Sequence, residues 1–305
     1  MEHTHTDYDS CAMHAEGGKI MEKRLLREEF EVLVALEKGQ KPEAGTEKMI
    51  AQLSEKGYVA DGTITAAGLA VLEPYRVKRA VFIAAGFGSR MVPVTLNTPK
   101  PLVRVHGKRI IDTLLDAVVA AGIEEIVIVR GYLGEQFDQL LYKYPQIRFI
   151  ENPTYNEANN IGSALLAKDL LRNAYVFEAD LVLSNPALVQ KYHYCTNFLG
   201  IPVEHSDDWC FRVEDGFIKE QIVGGDNCYQ EVGISYWDEE AGAKLEKHIE
   251  EAFNMPKGNE RYWDQVPFMF FPNEYDVEIR PCTFDDIIEI DSFKELQAFD
   301  EAYRI

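Results

Sequence analysis

The feature that most constrains this chain is a glycine-containing loop directly after a short apolar run. Residues 80–85 (AVFIAA) are apolar and few enough to form a buried strand, and the sequence then changes to Gly86-Phe87-Gly88-Ser89-Arg90. Two glycines spaced two apart permit positive φ angles, and the N–H groups of such a turn can converge on an anion. Arg90 and Lys100, the latter held between two prolines, add positive charge. The loop is therefore suited to holding a polyphosphate.

Two other kinds of phosphate loop do not fit this stretch. A Walker A loop needs Gly-Lys followed by Ser or Thr, which is absent here. A dinucleotide-binding fingerprint needs a third glycine, where this chain has Met91, and an acidic residue about 20 positions on, at the end of the second strand. The next strand-like run, residues 125–129, ends in Arg130-Gly131-Tyr132 instead. Both alternatives are therefore excluded.

Composition narrows the class of protein. The chain has 305 residues, which is more than one ordinary domain needs. Hydrophobic residues make up 46% of the chain, which is enough for a sizeable core. The net charge of −20 argues against nucleic acid or an anionic membrane surface as a partner, although a nucleotide needs only local positive charge. There is no apolar run long enough to span a membrane, no signal-peptide core and no C-x-x-C pair. We therefore expect a reduced, cytoplasmic protein, and a homo-oligomer is left open.

The N-terminal part of the sequence predicts a tail and a small separate domain. Residues 1–20 are polar and aperiodic, which predicts a disordered tail rather than a metal site. Residues 21–77 predict a helix, a second helix capped by Thr46, a hairpin around an Asp-Gly turn, and a third helix capped by Thr65. This order resembles a winged helix. Because acidic residues outnumber basic ones between 21 and 78, we expect a packing or assembly role rather than DNA binding.

Residues 78–305 alternate apolar runs with helical segments. Strands are predicted at 80–85, 126–129, 147–150 and 175–178, and helices at 110–121, 134–142 and 161–171. This alternation predicts a Rossmann-like, doubly wound α/β domain with a mostly parallel sheet. Ligands bind beyond the carboxyl ends of the strands in such sheets. Gly86, Arg130, Asn152 and Asp180 each follow a strand and should share that edge.

Two acidic segments are candidates for a metal site. Asp180 ends an apolar strand, and Glu289 and Asp291 occupy a late strand-like segment whose alternation places both on one face. Carboxylate oxygens suit Mg²⁺, so Asp180 and Asp291 are the candidate metal ligands. Asp180 and Glu289 could instead face a second substrate, and the sequence leaves this division open. The simpler alternative is that these acids only face solvent at strand ends.

The segment 151–163 is rich in asparagine and joins a strand to a helix. Asparagine side chains both donate and accept hydrogen bonds, which suits a pyrimidine base edge or a ribose. Asn160, Gly162 and Ser163 could equally cap the helix, and the two roles are compatible.

The whole loop, G-x-G-S-R-M-x-P-x-T-x-x-x-P-K-P-L over residues 86–102, resembles the signature of the nucleotidyltransferases that couple a nucleoside triphosphate to a phosphorylated small molecule. The resemblance extends to an Asp after a central strand and to a late E-x-D segment. It implies Mg²⁺ dependence, with Asp180 and Asp291 as ligands and with Arg90 and Lys100 as catalytic residues. The nucleotide-binding residues that follow are Ala85, Gly86, Gly88, Ser89, Arg90, Lys100, Asn160 and Ser163.

All three tryptophans lie in the C-terminal half, each close to acidic residues. Aromatic faces with carboxylates suit a quaternary ammonium, whereas a sugar phosphate would need polar groups that bind hydroxyls. For any single ring, core packing is the simpler role. The cluster resembles the acceptor pocket of the bacterial cytidylyltransferases that take phosphocholine. This resemblance implies acceptor binding by Trp209, Tyr262, Trp263 and Glu289.

The expected reaction is attack of the acceptor's phosphate on the α-phosphate of CTP, which gives CDP-choline from phosphocholine and releases pyrophosphate. One alternative keeps the reaction and changes the acceptor to phosphoethanolamine or a sugar 1-phosphate. Another alternative is a transcription regulator with a nucleotidyltransferase-like sensor domain. The presence of the loop, of Lys100 and of the late acids together argues against this second alternative.

Overall fold

The computed structural model of the chain describes residues 25–304. The predicted tail, residues 1–20, lies outside the described residues. The chain separates into two compact units, with the boundary between Pro74 and Tyr75. The predicted boundary is three residues later, because Tyr75 and Val77 already exchange backbone hydrogen bonds with His193 and Lys191 of the second unit, each 2.9 Å long.

No helix within residues 25–304 is long and apolar enough to cross a bilayer.

The first unit contains three helices and a short hairpin: α1 (Arg27–Glu37), α2 (Glu47–Glu55), β1 (Val59–Ala60), β2 (Thr63–Ile64) and α3 (Ala66–Leu72). Leu33, Leu53 and Leu72 form its fully buried centre. Thr65 caps α3 as predicted, because its hydroxyl accepts a 3.1 Å hydrogen bond from the Gly68 N–H. Thr46 is the N-cap residue of α2 as predicted, but its side chain accepts no capping hydrogen bond, and its hydroxyl donates to the Glu43 carbonyl. The winged-helix interpretation of this order stays a prediction.

The second unit contains eleven strands and four helices among its described residues, together with short 3₁₀ segments and a π turn at Val266–Phe270. In chain order these are β3 (Arg79–Ala84), β4 (Arg104–Val105), β5 (Lys108–Arg109), α4 (Ile110–Ala120), β6 (Glu125–Arg130), β7 (Ile147–Glu151), α5 (Asn160–Ala167), β8 (Ala174–Glu178), β9 (Leu181–Leu183), β10 (Asn197–Glu214), β11 (Phe217–Trp237), α6 (Glu239–Asn254), β12 (Glu278–Pro281), β13 (Ile287–Glu289) and α7 (Phe293–Phe299).

A seven-stranded sheet in the order β10-β12-β11-β8-β3-β6-β7 forms the centre of this unit. The strands β7, β6, β3 and β8 are parallel neighbours, and β11 joins β8 in the antiparallel sense. The predicted α/β class with a mostly parallel sheet is therefore confirmed. Because parallel strands end at the same edge, the loops after β3, β6, β7 and β8 emerge together there.

Helices cover both faces of the sheet, as strand alternation requires. Phe82 and Ile128 point to the face covered by α4, whereas Val81 and Val129 point to the face covered by α5 and α6. The apolar runs of β3 and β6 are continuous because both of their faces are buried.

The strands β10 and β11 form a long hairpin that the sequence analysis did not predict. They contain 18 and 21 residues and reverse at Asp215 and Gly216, which adopt φ angles of 50° and 81°. The register breaks after Ser206, so that Cys210 is paired with both Ile222 and Gln230. The distal half of the hairpin therefore folds back along the proximal half.

We predict that Gly242→Ala destabilises the fold although it places a better helix former in α6. A Cβ at Gly242 would lie 2.5 Å from the Leu171 carbonyl oxygen and 2.6 Å from the Cα of Arg172. The clash should outweigh the ~1 kcal/mol that alanine gains in a helix and give a net loss of about 1–3 kcal/mol. Urea unfolding followed by circular dichroism measures this loss.

The substitution Ala243→Gly is the control, since it should cost only helix propensity, about 1 kcal/mol. A Gly242→Ala variant more stable than the parent chain would contradict the packing of α6 described above.

Candidate active site

A cleft of about 430 Å³ opens at the edge where the parallel strands end. Its walls come from the loop after β3, the start of α5, the end of β8, the β10–β11 hairpin and the segments around residues 262–264 and 289–291. Of the residues predicted for a site, the cleft brings together Ala85, Gly86, Gly88, Ser89, Arg90, Lys100, Asn160, Ser163, Asp180, Trp209, Tyr262, Glu289 and Asp291. Ala85 and Asp291, which are 206 positions apart in the sequence (291 − 85), thus share one cavity.

The glycine loop leaves room for a ligand beside its backbone. Gly88 is left-handed, with φ of 67°, and a Cβ there would lie 3.1 Å from the Cβ of Lys100. A Cβ at Gly86, in contrast, would have no atom of another part of the chain within 4 Å, although Gly86 lines the cleft. Gly88 is therefore needed for the backbone conformation next to Lys100. Gly86 instead leaves open space in which a phosphate could approach the backbone.

Side chains from the loop after β6 hold the glycine loop in place. The single hydrogen of the Tyr132 hydroxyl is shared between the carbonyl oxygens of Thr95 and Leu96, which lie 2.9 and 3.0 Å from the hydroxyl oxygen. The Tyr132 ring also packs edge-on against Phe87, with 4.7 Å between the ring centroids. Within the loop, the Thr95 hydroxyl donates to the Gly88 carbonyl at 2.9 Å. The conformation of the loop is therefore fixed before any ligand binds.

Lys100 connects the glycine loop to two distant carboxylates. Its Nζ lies 2.7 Å from the Asp180 Oδ2 and 2.7 Å from the Asp291 Oδ1, and the lysine is 7% exposed. Arg90 also forms an ion pair with Asp291. Burial disfavours the charged ammonium, but the two carboxylates outweigh burial and raise the pKa of Lys100. Lys100 is therefore a permanent cation in the cleft.

Three carboxylates form a compact group beside Lys100. Asp180, Glu289 and Asp291 each offer an oxygen within 4.8 Å of the others. The short β9–β13 ladder brings them together, because Glu289 pairs with Leu181 across it. Enclosure by the cleft walls, together with the charges of Asp180 and Asp291, raises the pKa of Glu289 to about 9.

This group fits a hard divalent cation in its donor chemistry. All three residues supply the oxygen ligands that Mg²⁺ prefers. In addition, the Oδ1 of Asp180 is buried and has no hydrogen-bond partner among residues 25–304. An orphaned carboxylate oxygen in such a place is costly unless a cation satisfies it.

Asn160 and Ser163 line the cleft at the start of α5, but other side chains already engage them. The Asn160 Oδ1 accepts a hydrogen bond from the backbone N–H of Trp263 at 2.9 Å, and the Ser163 hydroxyl accepts one from the Asn152 side-chain amide at 3.0 Å. A cap of this helix was predicted at Asn160, Gly162 or Ser163. The residue that caps it is Asn159, whose side chain accepts a hydrogen bond from the Asn160 N–H. Contact with a nucleotide by Asn160 and Ser163 stays a prediction.

The predicted aromatic cluster is only partly present in the cleft. Trp209 and Tyr262 both line it, with ring centroids 6.1 Å apart and planes at 67°. Trp263 does not, which corrects the prediction that it contacts the acceptor. It is 1% exposed and packs in the core against Phe198 and Trp237. Adjacent residues point in different directions, so exposure of Tyr262 accompanies burial of Trp263.

Four acids that line the cleft were not predicted from the sequence: Glu178, Asp208, Glu231 and Asp264. Asp208 directly precedes Trp209. Glu178 is two positions before the predicted Asp180, so the segment was recognised but its other acid was not. Glu231 lies on β11, which was not predicted as a strand. Asp264 directly follows Trp263 and takes the inward position that was expected of the tryptophan.

Comparison with known proteins identifies the family of the chain. Residues 79–197 match the family model described as nucleotidyl transferase. A 2-aminoethylphosphonate cytidylyltransferase of Lancefieldella rimae is 38% identical over 228 residues, which cover 73% of this chain and 92% of that protein. A choline-phosphate cytidylyltransferase of Streptococcus pneumoniae is 32% identical over 226 residues, 73% of this chain and 97% of that protein.

The fold agrees with a solved structure of this kind. The structure of the CTP:phosphocholine cytidylyltransferase from Streptococcus pneumoniae superposes with a TM-score of 0.69 at 31% sequence identity. The match covers 75% of this chain and 100% of that one.

We predict that Tyr132→Phe loosens the glycine loop without unfolding the domain. The substitution keeps the ring but removes the hydroxyl hydrogen that the Thr95 and Leu96 carbonyls share, a loss of about 1 kcal/mol. Hydrogen exchange read by mass spectrometry should show peptides over residues 86–97 exchanging at least about fivefold faster, the factor that ~1 kcal/mol gives. Tyr142→Phe is the matched control, since Tyr142 is 95% exposed. Equal exchange in the parent chain and Tyr132→Phe would contradict the role of this hydroxyl.

Proposed function

The chain belongs to the nucleotidyl transferase family, as one of its cytidylyltransferases, and we propose that it transfers the cytidylyl group of CTP to a small acceptor with a phosphate or phosphonate at one end and a cationic amine at the other. One observation carries the proposal. A single cleft holds the glycine loop and a permanent lysine cation on one side, and two aromatic rings with carboxylates on the other. The first side suits a triphosphate and the second an ammonium.

The proposed step is an in-line displacement at the α-phosphorus of CTP. An anionic oxygen of the acceptor's phosphate or phosphonate forms the new P–O bond. The bond between the α-phosphorus and the bridging oxygen to the β-phosphate breaks, and that oxygen leaves with the electron pair as part of pyrophosphate. The attacking oxygen already carries negative charge, so no general base is needed. Catalysis is therefore mainly a matter of positioning and of neutralising charge.

The residues of the loop side have separate roles in this step. The N–H groups around Gly86 and Ser89 would hold the triphosphate in the open space beside Gly86. Lys100, held at the centre of the cleft, would contact the α-phosphate and the attacking group. Arg90 is 69% exposed along its side chain, so it can swing to the leaving phosphates. Both cations would exchange carboxylate partners for phosphate oxygens when CTP binds.

We also propose that Mg²⁺ is required, with Asp180 and Asp291 as its ligands and Glu289 beside them. The support is the oxygen donor set and the unpartnered Oδ1 of Asp180. When bound there, the ion would neutralise charge on the triphosphate and orient it. Release of both aspartates from Lys100 would make their oxygens available for this task.

The acceptor's cationic end is proposed from the aromatic side of the cleft and from the relatives. Trp209 and Tyr262 present their rings next to carboxylates, an environment that attracts a positive head-group. The named acceptors of the two relatives, 2-aminoethylphosphonate and choline phosphate, both carry an amine cation. Phosphocholine, phosphoethanolamine and 2-aminoethylphosphonate all meet this requirement, whereas a sugar 1-phosphate has no cation.

The direct test measures pyrophosphate release with Mg²⁺, using each of the four nucleoside triphosphates against phosphocholine, phosphoethanolamine, 2-aminoethylphosphonate and glucose 1-phosphate. We expect release with CTP and the amine-bearing acceptors. Release that requires a sugar 1-phosphate would overturn the assignment of the acceptor side, and no release with any pair would overturn the transferase assignment.

Lys100→Ala should lower kcat by at least about a hundredfold, the usual cost of removing a group that stabilises transition-state charge. The reason is that no other described lysine lines the cleft. Steady-state pyrophosphate release measures the effect. Lys108→Ala is the control, because Lys108 is exposed and lies outside the cleft. Near-normal turnover in Lys100→Ala would refute its catalytic role.

Lys100→Met should also increase the affinity of the nucleotide-free protein for a divalent cation. The lysine occupies Asp180 and Asp291 through its two ion pairs, so its removal leaves both carboxylates without their cation. We expect Mn²⁺, counted by electron paramagnetic resonance, to bind at least about tenfold more tightly, or ~1.4 kcal/mol. Lys108→Met should leave the affinity unchanged. Weaker Mn²⁺ binding in Lys100→Met would show that these aspartates are not the metal ligands.

A further inference from the structure

Three of the four unpredicted acids form a connected group on the acceptor side of the cleft. Glu178, Glu231 and Asp264 come from the end of β8, from β11 and from the segment after Trp263, and all three line the cavity. The carboxyl groups of Glu231 and Asp264 both contact one nitrogen, the Nε2 of Gln221. Asp264 is 7% exposed. Trp209 and Tyr262 line the same cavity, so rings and acids face a common space.

Neighbouring residues are arranged to hold these acids in position. The Gln221 amide donates to Glu231 at 2.7 Å and to Asp264 at 2.5 Å. Gln221 is 2% exposed, and its Oε1 is buried without a hydrogen-bond partner among residues 25–304. Gly233 makes space for Glu178, since a Cβ there would lie 2.5 Å from the Glu178 Oε2. The Oε1 of Gln221 and the two carboxylates are hydrogen-bond acceptors at one place, and this group still lacks a hydrogen-bond donor.

No cation within residues 25–304 forms an ion pair with this group. The two basic side chains that line the cleft, Arg90 and Lys100, pair with Asp180 and Asp291. Burial, followed by the charge of neighbouring carboxylates, raises the pKa of Glu231, and burial raises that of Asp264. Buried carboxylates without a cationic partner are unfavourable in the free protein. A positive group of the substrate would remove this penalty.

We propose that Glu178, Glu231 and Asp264 select an acceptor whose ammonium carries N–H groups, such as an ω-aminoalkyl phosphate or phosphonate, over one with a quaternary ammonium. This inference rests on the proposed function, since it concerns the head-group of the same acceptor. A primary ammonium donates three hydrogen bonds, and carboxylate oxygens accept them in charge-assisted geometry. A trimethylammonium has the same charge but no donor.

The balance of rings and acids supports this choice. A quaternary ammonium is best held by several aromatic faces, and the structure leaves only Trp209 and Tyr262 of the three rings that the sequence assigned. Where the third ring was expected, Asp264 lines the cleft instead. The two rings then enclose the alkyl chain and one side of the head-group, and the acids receive the N–H donors.

The test uses acceptors in which methyl groups replace the N–H hydrogens one at a time: phosphoethanolamine, its N-methyl and N,N-dimethyl derivatives, and phosphocholine. All four carry one positive charge on nitrogen, so attraction by charge alone is nearly constant along the series. With saturating CTP and Mg²⁺, we expect kcat/KM to fall along the series by about 10- to 100-fold in total, as one or two lost charged hydrogen bonds would give.

Two variants link the slope to the acids. Asp264→Asn and Glu231→Gln keep the size of each side chain and remove its charge, so the preference for N–H donors should shrink to less than about threefold. Glu220→Gln is the matched control, since Glu220 is an exposed acid on the same strand, paired with Arg212, and should keep the parent slope. Circular dichroism confirms that each variant is folded, and the series on the parent chain needs no variant.

The outcomes distinguish a failure of this inference from a failure of the proposed function. A flat series, or one that rises towards phosphocholine, overturns this inference and leaves the transferase assignment standing. An unchanged slope in both Asp264→Asn and Glu231→Gln overturns the role of these acids. No pyrophosphate release with any member of the series, nor with 2-aminoethylphosphonate, contradicts the proposed function itself, and this inference fails with it.

Discussion

The ion pairs between Lys100 and the carboxylates of Asp180 and Asp291 are the interaction on which the site depends. They join residues that are 80 and 191 positions apart in the sequence. Each partner arrives through a different part of the fold: Lys100 on the loop after β3, Asp180 after β8, and Asp291 after β13. Without a cation among them, these carboxylates would repel one another across a partly buried cleft. The ion pairs of Lys100 therefore stabilise both the cleft and the edge of the sheet at which these segments meet.

The same arrangement explains how an acidic protein can accept a polyanion. The chain has a formal net charge of −20, yet Arg90 and Lys100 concentrate positive charge where the glycine loop opens. In the free protein the aspartates neutralise this charge. A triphosphate that draws both cations towards itself would free the aspartates for a divalent cation, so nucleotide and metal binding are expected to favour each other. One side of the cleft is thus suited to a polyanion and the other side to a cation, which matches the two proposed substrates.

The sequence predicted the parts of the fold that local patterns specify. Runs such as residues 80–85, apolar because both faces are buried, predicted the parallel strands, and the loop signature predicted the position of Lys100 and Arg90. The two late acids were found because an E-x-D segment follows a strand-like run. Asp180 was found for a similar reason.

Other parts depended on tertiary structure that no local pattern reveals. The β10–β11 hairpin carries many charged residues, so its strands lack the apolar alternation that would identify them. Because β11 was not predicted, the position of Glu231 on it was not predicted either. Tyr262 and Trp263 are neighbours of similar chemistry, and only the packing of Trp263 against Phe198 and Trp237 decides which one reaches the cleft. The same choice brings Asp264 inward. Thr46 occupies the N-cap position of α2 as predicted, but its side chain makes no capping bond and its hydroxyl donates to the Glu43 carbonyl, a contact that the local pattern does not reveal.

The most direct test of the account follows the phosphorus atoms of CTP. CTP radiolabelled at the α-phosphorus, and separately at the γ-phosphorus, is incubated with the protein, Mg²⁺ and phosphoethanolamine, and the products are separated by chromatography. We predict that the α-label enters a new cytidine diphosphate ester of the acceptor and that the γ-label leaves in pyrophosphate. Transfer of the γ-label to the acceptor, or an α-label that stays in CTP, would contradict cytidylyl transfer in this cleft.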